Sequence, residues 1–386
     1  MEWKEVRLGD VCNIITGFPF PGKKYSKEGI RVVRGDNVTI GNLRWDTEKD
    51  KRWNEPFDKT EYYSLQANDI VIGMDGSRVG KNKARIKEED LPLLLAQRVA
   101  CVRHNELAEQ DYLYYNIFSK KFIDYVNSIH TGSAIPHISQ KQIEDYKILL
   151  PNLETQRRIA SILSSLDRKI ELNNKINTDL EEMAQAIFKN WFVDFEPFKG
   201  GKFVDSEMGR IPEGWKVVKL GDFFPVKTGK KDANTASVNG KYPFFSCSQN
   251  ALCTDSYSFD CDAILVAGNG DFNVKWYSGK FDAYQRTYVL IPYNKKLLAL
   301  LYYVVKRNLL TITSKARGSV IRFITKGNLT DFEFAIPRDL ENNEIVDVFK
   351  SINEKIFANN KENSRLSLLR DTLLPRLMSG EIEVPE

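Results

Sequence analysis

The sequence contains few of the residues that usually carry metal binding or disulfide chemistry. Its 386 residues include five cysteines and three histidines. The cysteines are odd in number and form no C-x-x-C pair, and neither they nor the histidines have the spacing of a structural zinc site. These features favour reduced thiols in a cytoplasmic protein over a disulfide-linked secreted one.

Long apolar runs are absent as well. No stretch approaches the roughly 18 apolar residues of a membrane span, and the charged segment MEWKEVRLGD lacks the apolar core of a signal peptide. We therefore expect a cytoplasmic protein without a membrane partner. The chain is long enough for two or three domains, each with its own core.

The common catalytic motifs are also missing. Residues 17–24 read GFPFPGKK, but Lys24 stands where a phosphate loop has Ser or Thr, and Pro19 and Pro21 lack the amides that cradle phosphate. There is no N-P-P-[YF] motif of an amino-methyltransferase and no convincing nuclease carboxylate cluster. We expect a binding protein that is not an enzyme, with no metal site and no cofactor of its own.

The most informative feature that the sequence does have is an internal repeat. Residues 3–17 (WKEVRLGDVCNIITG) match 215–229 (WKVVKLGDFFPVKTG), and 132–151 match 318–337. The offsets are 212 and 186, so the second copy is 26 residues shorter between its matched ends. Two variable bodies within matched frames indicate two related but non-identical binding modules.

Each module mixes short strands with a helix. Val- and Ile-rich runs such as 68–76 and 262–270 predict strands, and the Tyr-containing stretches 110–129 and 296–310 predict helices. We therefore expect one α+β module used twice. Residues 201–337 hold 19 basic and 12 acidic residues, which suits a module that faces a polyanion, although an ordinary solvated surface explains the charge equally well.

An apolar stripe with alternating steps of three and four follows each module, and such a stripe is typical of a coiled coil. Its positions are Ile159, Ile162, Leu166, Asn173, Ile176, Leu180 and Met183 in the first helix, and Ile345, Val348, Ile352, Asn359, Leu366 and Leu369 in the second. The matched polar interruptions at Asn173 and Asn359 favour an antiparallel pair in which the two amides meet near the centre. The alternative is that each helix packs on its own module.

With these marks the sequence resembles the DNA-specificity subunits of type I restriction–modification systems. The shared motifs are W-K-x-V-x-L-G-D at both module starts, LPNLETQRRIASILSSLDRKIELNNKIN after the first module, LEEMAQAIFKNWFVDF, MGRIPEGW and LLPRLMSGEI. The resemblance covers essentially the whole chain but is weak inside the modules. The second helix keeps the periodicity and loses the L-x-x-Q-x-x-I pattern.

The resemblance implies an α+β fold of two pseudo-repeated α/β target-recognition domains separated by an antiparallel coiled coil of two long helices. The implied segments are target-recognition domains at 1–151 and 215–337, conserved spacer helices at 152–198 and 338–386 (the latter with the C-terminal tail), and a linker at 199–214. The implied partners are double-stranded DNA and two methyltransferase subunits, which carry S-adenosylmethionine and methylate adenine. Two motor-nuclease subunits can join for restriction.

The length of the stripe gives an expected spacing. From Ile159 to Ile187 is 28 steps, or about 42 Å, which corresponds to roughly 12 base pairs. We expect each module to read one half of a bipartite, asymmetric site. The alternatives are an enzyme that acts alone and a coiled-coil adaptor that binds only proteins.

Candidate DNA contacts are polar and basic side chains on loops. In the first module they are Lys23, Lys24, Tyr25, Arg34, Asn37, Ser77, Arg78, Lys81, Asn82, Lys83, Thr131, Ser133 and His137, and in the second Lys230, Lys231, Ser248, Gln249, Asn250, Asn269, Lys315, Arg317, Ser319 and Arg322. The pairs Gln97–Arg98 and Gln285–Arg286 recur before a strand. They are either contacts or a repeated structural hydrogen bond, and the second interpretation is slightly favoured.

Overall fold

The computed structural model describes residues 3–56, 58–129, 136–237, 240–318 and 320–384. The chain forms two compact units, residues 1–171 with 363–386 and residues 172–362. Each unit contains one module together with one half of each of two long helices. In the described residues no helix has both the length and the apolar character needed to cross a membrane.

The first module is built from short strands and helices. Its strands are β1 (Lys4–Arg7), β2 (Cys12–Thr16), β3 (Ile30–Val33), β4 (Ile40–Gly41), β5 (Arg52–Trp53), β6 (Ile70–Gly73), β7 (Lys83–Arg85), β8 (Leu93–Leu95), β9 (Val99–His104) and β10 (Lys147–Leu150). Its helices are α1 (Leu8–Val11), α2 (Thr60–Tyr63), α3 (Gln110–Phe118), α4 (Lys120–Ile129) and α5 (Gln140–Glu144). One sheet has the order β2-β9-β6-β7-β4, a second has the order β5-β3-β8, and β1 pairs with β10.

The central strands of the first module are buried on both faces. Ile70 and Ile72 of β6 pack beneath Leu113 and Phe122 of the helices, whereas the intervening Val71 faces the other core. Alternate side chains of a strand point to opposite faces, so a strand covered on both sides is a continuous apolar run. This explains why the sequence IVIG lacks the alternation of an exposed sheet.

The second unit repeats this arrangement. Its strands are β11 (Phe203–Ser206), β12 (Gly209–Pro212), β13 (Trp215–Lys219), β14 (Val226–Thr228), β15 (Tyr242–Phe245), β16 (Leu252–Thr254), β17 (Phe259–Ala267), β18 (Val274–Ala283), β19 (Thr287–Leu290) and β20 (Glu333–Pro337). Its shorter helices are α7 (Leu298–Arg307), α8 (Leu309–Ser314) and α9 (Lys326–Thr330). The main sheet has the order β14-β19-β17-β18-β15-β16, and β13 pairs with β20.

The sequence segments that recur at the start and end of each module form the same kind of strand pair in both modules. In the antiparallel pair β1–β10, Lys4 lies opposite Leu150, and in the pair β13–β20, Lys216 lies opposite Ile336. The offsets of 212 and 186 found in the sequence convert the first register into the second. The matched segments therefore close each module with the same ladder, and the variable segments lie between them.

The segment predicted as a linker is more ordered than its glycines suggest. Within residues 199–214, β11 and β12 form an antiparallel hairpin. Ile211 and Trp215 are buried in a cluster that includes Phe192, Phe195 and Phe198. Aromatic burial at both ends of the segment explains why it folds against the second module.

The two long helices are α6 (Leu153–Phe192) and α10 (Glu344–Met378). In the first unit, Arg370 Nη1 donates to Asp167 Oδ1 at 2.7 Å. In the second unit, Asn177 Nδ2 donates to Asn360 Oδ1 at 2.9 Å. Residues later in α6 thus contact residues earlier in α10, so the two helices run antiparallel. The predicted fold class is confirmed.

Both predicted asparagines lie inside the helix pair. Asn173 and Asn359 are buried, and each bonds to the opposite helix. Asn173 Nδ2 donates to Glu362 Oε2 at 2.7 Å, and Asn359 Nδ2 donates to Asn177 Oδ1 at 2.8 Å. With Asn360, which accepts from Asn177, the buried amides belong to a polar layer of at least five side chains, which is larger than the single pair that the sequence predicts.

Three positions of the predicted stripe are wrong. Met183, Val348 and Leu369 are 46%, 39% and 46% exposed, whereas the neighbouring Ala184 and Phe349 are fully buried. A straight helix has 3.6 residues per turn, so a stripe with a period of 3.5 drifts by about 20° per heptad. Each helix must also bury a second face against its module, which brings the adjacent position inward.

The remaining stripe positions are at least partly buried. Ile159, Ile345 and Ile352 are buried, and Ile162, Leu166, Ile176, Leu180 and Leu366 are half-buried. Ile345 and Ile352 belong to the core of the second module, against which Leu180 also packs. Ile159 packs with Tyr112, Tyr115 and Leu377 in the first unit. The stripe is therefore shared between the helix pair and the modules.

Candidate nucleic-acid interface

A cleft of about 750 Å³ lies at the tip of the first module. Its walls come from the loops after β2, β3 and β6 and from the turn between β8 and β9. Of the predicted contacts it contains Tyr25, Arg34, Ser77, Arg78 and Asn82. Residues that are up to 57 positions apart in the sequence are therefore brought to one opening.

The cleft is basic but mixed in charge. Four arginines line it together with two aspartates, which are Arg34, Arg44, Arg78, Arg98, Asp36 and Asp75. Arginine offers a rigid fork of donors that suits phosphate oxygens and guanine edges. Carboxylates accept hydrogen bonds from base amino groups and repel phosphate, so such a mixture favours contact with base edges over contact with the backbone alone.

Arg34 lines this cleft and has one buried guanidinium nitrogen without a hydrogen-bond partner among the described residues. Its guanidinium carbon lies 5.7 Å from the centre of the Tyr25 ring, and its Nη2 is 3.7 Å from Asp36 Oδ2. The buried nitrogen is Nε. An unmet buried donor costs about 1–3 kcal/mol.

The turn between β8 and β9 holds Arg98 in an unusual conformation. Arg98 has a φ of 67°, in the left-handed region that is uncommon for residues other than glycine. Its Nε lies 3.5 Å from Asp75 Oδ2, and its Nη1 lies 3.5 Å from His137 Nδ1. His137 also bonds to Asp75. Strained residues of this kind concentrate at binding sites.

A glycine in each repeated frame allows the tip to close. A Cβ on Gly17 would lie 2.2 Å from the Ala96 carbonyl oxygen, and a Cβ on Gly229 would lie 2.2 Å from the Ala283 carbonyl oxygen. Any larger residue would collide with the strand end that carries the Gln-Arg pair. The repeated Thr-Gly in the sequence therefore has a steric cause.

Two predicted contacts in the first module are wrong because the residues are buried. Asn37 is fully buried, where its Nδ2 donates to the carbonyls of Arg44 and Lys49 at 3.0 Å. Lys83 is 3% exposed and donates to the Gly80 carbonyl at 3.0 Å. Both side chains shape the loops from within.

Burial also changes the titration of Lys83. Its ammonium lies 5.4 Å and 5.0 Å from the ring centres of Phe118 and Phe122, and desolvation lowers its pKa to about 7. At neutral pH this lysine is therefore only partly protonated, and its burial keeps the ammonium away from a ligand.

The other candidates of the first module have mixed positions. Lys23 and Lys81 are exposed and do not line the cleft, and Lys24 forms an ion pair with Glu55 at 2.6 Å. His137 is half-buried beside Asp75. Thr131, Ser133 and, in the second module, Ser319 lie outside the described residues.

In the second module, hydrogen bonds join the predicted loops at one tip. Gln249 Nε2 donates to Asp271 Oδ2 at 2.6 Å, and the amide of Gly270 donates to the Arg322 carbonyl at 3.0 Å. Asn269 forms an isolated β-bridge with Phe323. The loops that contain residues 246–250, 268–273 and 315–323 are therefore contiguous.

The individual candidates there differ in exposure. Lys230, Ser248, Gln249, Asn250, Lys315, Arg317 and Arg322 are exposed, and Lys231 and Asn269 are half-buried. Arg322 Nη2 donates to the Thr313 carbonyl at 3.1 Å, so part of its donor capacity is already used inside the protein. Ser248 is also engaged, because its hydroxyl donates to the Asn250 carbonyl at 2.6 Å.

The sequence does not predict several of the polar groups at the tips as contacts, and it leaves Arg98 as either a contact or a structural hydrogen bond. Arg44, Asp75 and Arg98 line the first cleft. At the second tip, Lys275 Nζ donates to the Ser248 carbonyl at 2.7 Å, and burial lowers the pKa of this ammonium. Aligning the strand segments 68–76 and 262–270 with each other would have pointed to Asp75, because it then falls opposite Asn269.

Paired modules of one fold, an antiparallel helix pair and a polar, arginine-lined tip define a recognition protein. The model of the type I restriction modification DNA specificity domain matches residues 1–182 and 212–368. The chain therefore belongs to this family. Members of the family are the non-catalytic DNA-recognition components of their systems, and the chain is of that class.

Individual relatives agree with this assignment. The chain is 38% identical over 178 residues to the type I restriction enzyme EcoDI specificity subunit of Escherichia coli, which covers 45% of this chain and 40% of that relative. It is 30% identical over 305 residues to the MjaIX specificity subunit of Methanocaldococcus jannaschii, covering 72% and 70%. The first of these matches spans less than half of the relative.

A solved structure supports the fold. The type I restriction–modification S subunit from M. genitalium superposes with a TM-score of 0.62, covering 98% of this chain and 96% of that one. The sequences are 15% identical. At this identity the likeness concerns the architecture alone.

Proposed function

We propose that the chain reads a bipartite, asymmetric DNA site, with one half read by the tip of each module. The observation that carries the proposal is that equivalent loops of the two modules form polar tips with different side chains. Two modules that share a fold but present different side chains suit a DNA target with two unlike halves. The helix pair sets the number of base pairs between the halves.

The proposal assigns catalysis to other subunits. Two methyltransferase subunits, which hold S-adenosylmethionine and methylate adenine at N6, bind around the chain, and two motor-nuclease subunits join where the system restricts DNA. The family assignment supports this division of labour. The exposed faces of α6 and α10, on which Met183, Val348 and Leu369 leave apolar groups in solvent, are suitable surfaces for such partners.

Selection from random DNA tests the proposal. The full chain, purified together with its methyltransferase subunits, is incubated with a pool of random duplexes, and bound DNA is sequenced. The expected result is one enriched motif made of two different halves at a fixed separation. Binding without any enriched sequence, or no binding at all, would favour the alternative of a coiled-coil adaptor for proteins.

A further inference from the structure

The tips of the two modules share one backbone frame. In the first module, the Met74 amide donates to the Arg98 carbonyl at 2.9 Å, and the Ile138 amide donates to the Met74 carbonyl at 2.9 Å. In the second, the Gly268 amide donates to the Arg286 carbonyl at 2.8 Å, and the Ile324 amide donates to the Gly268 carbonyl at 2.9 Å.

Two further features extend the correspondence. The Gly76 amide donates to the Pro136 carbonyl at 3.0 Å, as the Gly270 amide does to the Arg322 carbonyl. Asp75 forms a β-bridge with His137, and Asn269 forms the equivalent bridge with Phe323. The frame therefore fixes which residue of one tip corresponds to which residue of the other.

Three side chains stand on this frame in each tip. They are Asp75, Arg98 and His137 in the first module and Asn269, Arg286 and Phe323 in the second. The arginine is common to both tips and exposed in both. The other two positions differ, so the same scaffold presents a carboxylate in one module and an amide in the other.

The environment of Asp75 leaves it able to accept more hydrogen bonds. Its side chain is 34% exposed and lines the cleft with Arg98. An ionised carboxylate has about four acceptor sites, and His137 and Arg98 are the two partners that approach it among the described residues. The remaining lone pairs are available to a donor that enters the cleft.

The two side chains select different bases. A carboxylate accepts from the N4 amino group of cytosine and is repelled by the acceptor atoms of guanine and by O4 of thymine. An asparagine amide both accepts and donates, which matches N6 and N7 of adenine. The neighbouring arginine offers donors to guanine or to phosphate in both tips.

We propose that Asp75 and Asn269 are equivalent base-reading positions, with Asp75 selecting cytosine and Asn269 selecting adenine. This inference rests on the proposed function, since it names the chemistry by which each tip reads its half-site. One equivalent position, occupied by Asp75 in one module and Asn269 in the other, would then account for part of the sequence difference between the two half-sites. Arg98 and Arg286 hold the adjacent base or phosphate in a manner common to both modules.

Reciprocal substitutions test the inference in the full chain with its methyltransferase subunits. Asp75→Asn is expected to change one cytosine of the first half-site to adenine in the selected motif and to leave the second half unchanged. Asn269→Asp is expected to change one adenine of the second half-site to cytosine. Glu5→Gln, which removes the same charge from an exposed ion pair on β1, is expected to select the wild-type motif.

A base analogue gives a second test that needs no altered fold. In the selected duplex, each cytosine of the first half-site is replaced in turn by 2-pyrimidinone, which lacks the 4-amino group. One replacement is expected to weaken binding by wild-type chain roughly tenfold and to have little effect on the Asp75→Asn chain. Thermal melting of both variants establishes that they remain folded.

The outcomes separate the inference from the function on which it rests. If wild-type chain selects a bipartite motif and both folded variants select the same motif, the inference is overturned and the proposed function stands. If no replacement of cytosine in the first half-site weakens binding, the role of Asp75 is likewise overturned. Failure of wild-type chain to select any motif overturns both.

Discussion

Polar residues that the sequence predicts as DNA contacts have different environments at the tip of the first module. Arg34 and Asn37 follow β3 and Lys83 begins β7, yet only the arginine lines the open cleft, while the other two are buried. Burial of Asn37 is stabilised because its amide donates hydrogen bonds to the carbonyls of Arg44 and Lys49. Loop position alone therefore does not identify a candidate DNA contact. Exposure in the folded module separates the accessible side chains from those that only stabilise the loops.

Exposed Arg317 provides a test of the second tip. Its backbone is paired with Phe323, which holds the side chain at the loop surface, so Arg317→Ala should remove charge without unfolding the loop. We expect DNA affinity to fall several-fold and, if the guanidinium contacts phosphate, the slope of log affinity against log salt to flatten by about 0.9. Fluorescence anisotropy at several salt concentrations measures both. Arg307→Ala, an exposed arginine at the end of α7, is the control, and equal affinity for the two variants would remove Arg317 from the interface.

Buried Lys83 predicts a pH dependence of stability. Its folded pKa of about 7 lies below the ordinary lysine pKa of 10.5, so the unfolded chain binds more protons between these values. The free energy of unfolding contributed by this group therefore rises with pH from about 7 to about 10. Lys83→Met should remove this rise and raise stability at pH 7, without loss of DNA affinity.

Thermal melting between pH 6 and pH 9 measures this rise, because the interval spans the folded pKa of Lys83, which is about 7. Exposed Lys81→Met serves as the control for stability and should keep the wild-type slope. The same slope in the Lys83→Met chain would show that the ammonium is not desolvated in the folded protein.

At the scale of elements, the long helices have two tasks. They pair with each other through a polar layer that includes Asn173 and Asn359, and they supply buried side chains to the modules, such as Phe188 and Phe349 in the core of the second. A single heptad stripe cannot serve both faces. The positions that are buried therefore alternate between the helix pair and the module.

The corrected stripe predicts unequal costs for adjacent positions of α10. Phe349 is fully buried and its ring lies 5.2 Å from that of Tyr303, so Phe349→Ala should destabilise the protein by about 3–5 kcal/mol. Val348 is 39% exposed, and Val348→Ala should cost less than about 1 kcal/mol. Urea unfolding of the full chain compares them, and similar costs for both would restore the heptad assignment.

The sequence predicts the elements better than it predicts the surfaces. The repeat, the two long helices and the α+β modules follow from local periodicity and from matches between two parts of the same sequence. Neither signal requires knowledge of the tertiary structure. The hairpin within residues 199–214 and the burial of Asn37 and Lys83 depend on contacts with distant residues. The cleft itself was predicted only as separate loops, because their convergence is set by sheet order.

At the scale of the whole molecule, the chain contains two related modules. Their end segments match each other, and the segments between those ends differ. The antiparallel pairs β1–β10 and β13–β20 have one register, and the frame at the tips is shared to within 0.1 Å in its hydrogen bonds. The modules differ in the side chains presented on that frame and in the strands and loops between the matched segments, since the first has a separate three-stranded sheet and the second has a single six-stranded one.

The most direct test of this account is a map of methylated adenines in DNA from cells that express the chain with its methyltransferase subunits. The account predicts a single motif of two unlike halves, separated by an unread spacer of constant length, with modification lost when the chain is deleted. A contiguous motif, two independent short motifs without fixed separation, or a methylation pattern unaffected by deletion of the chain would contradict it.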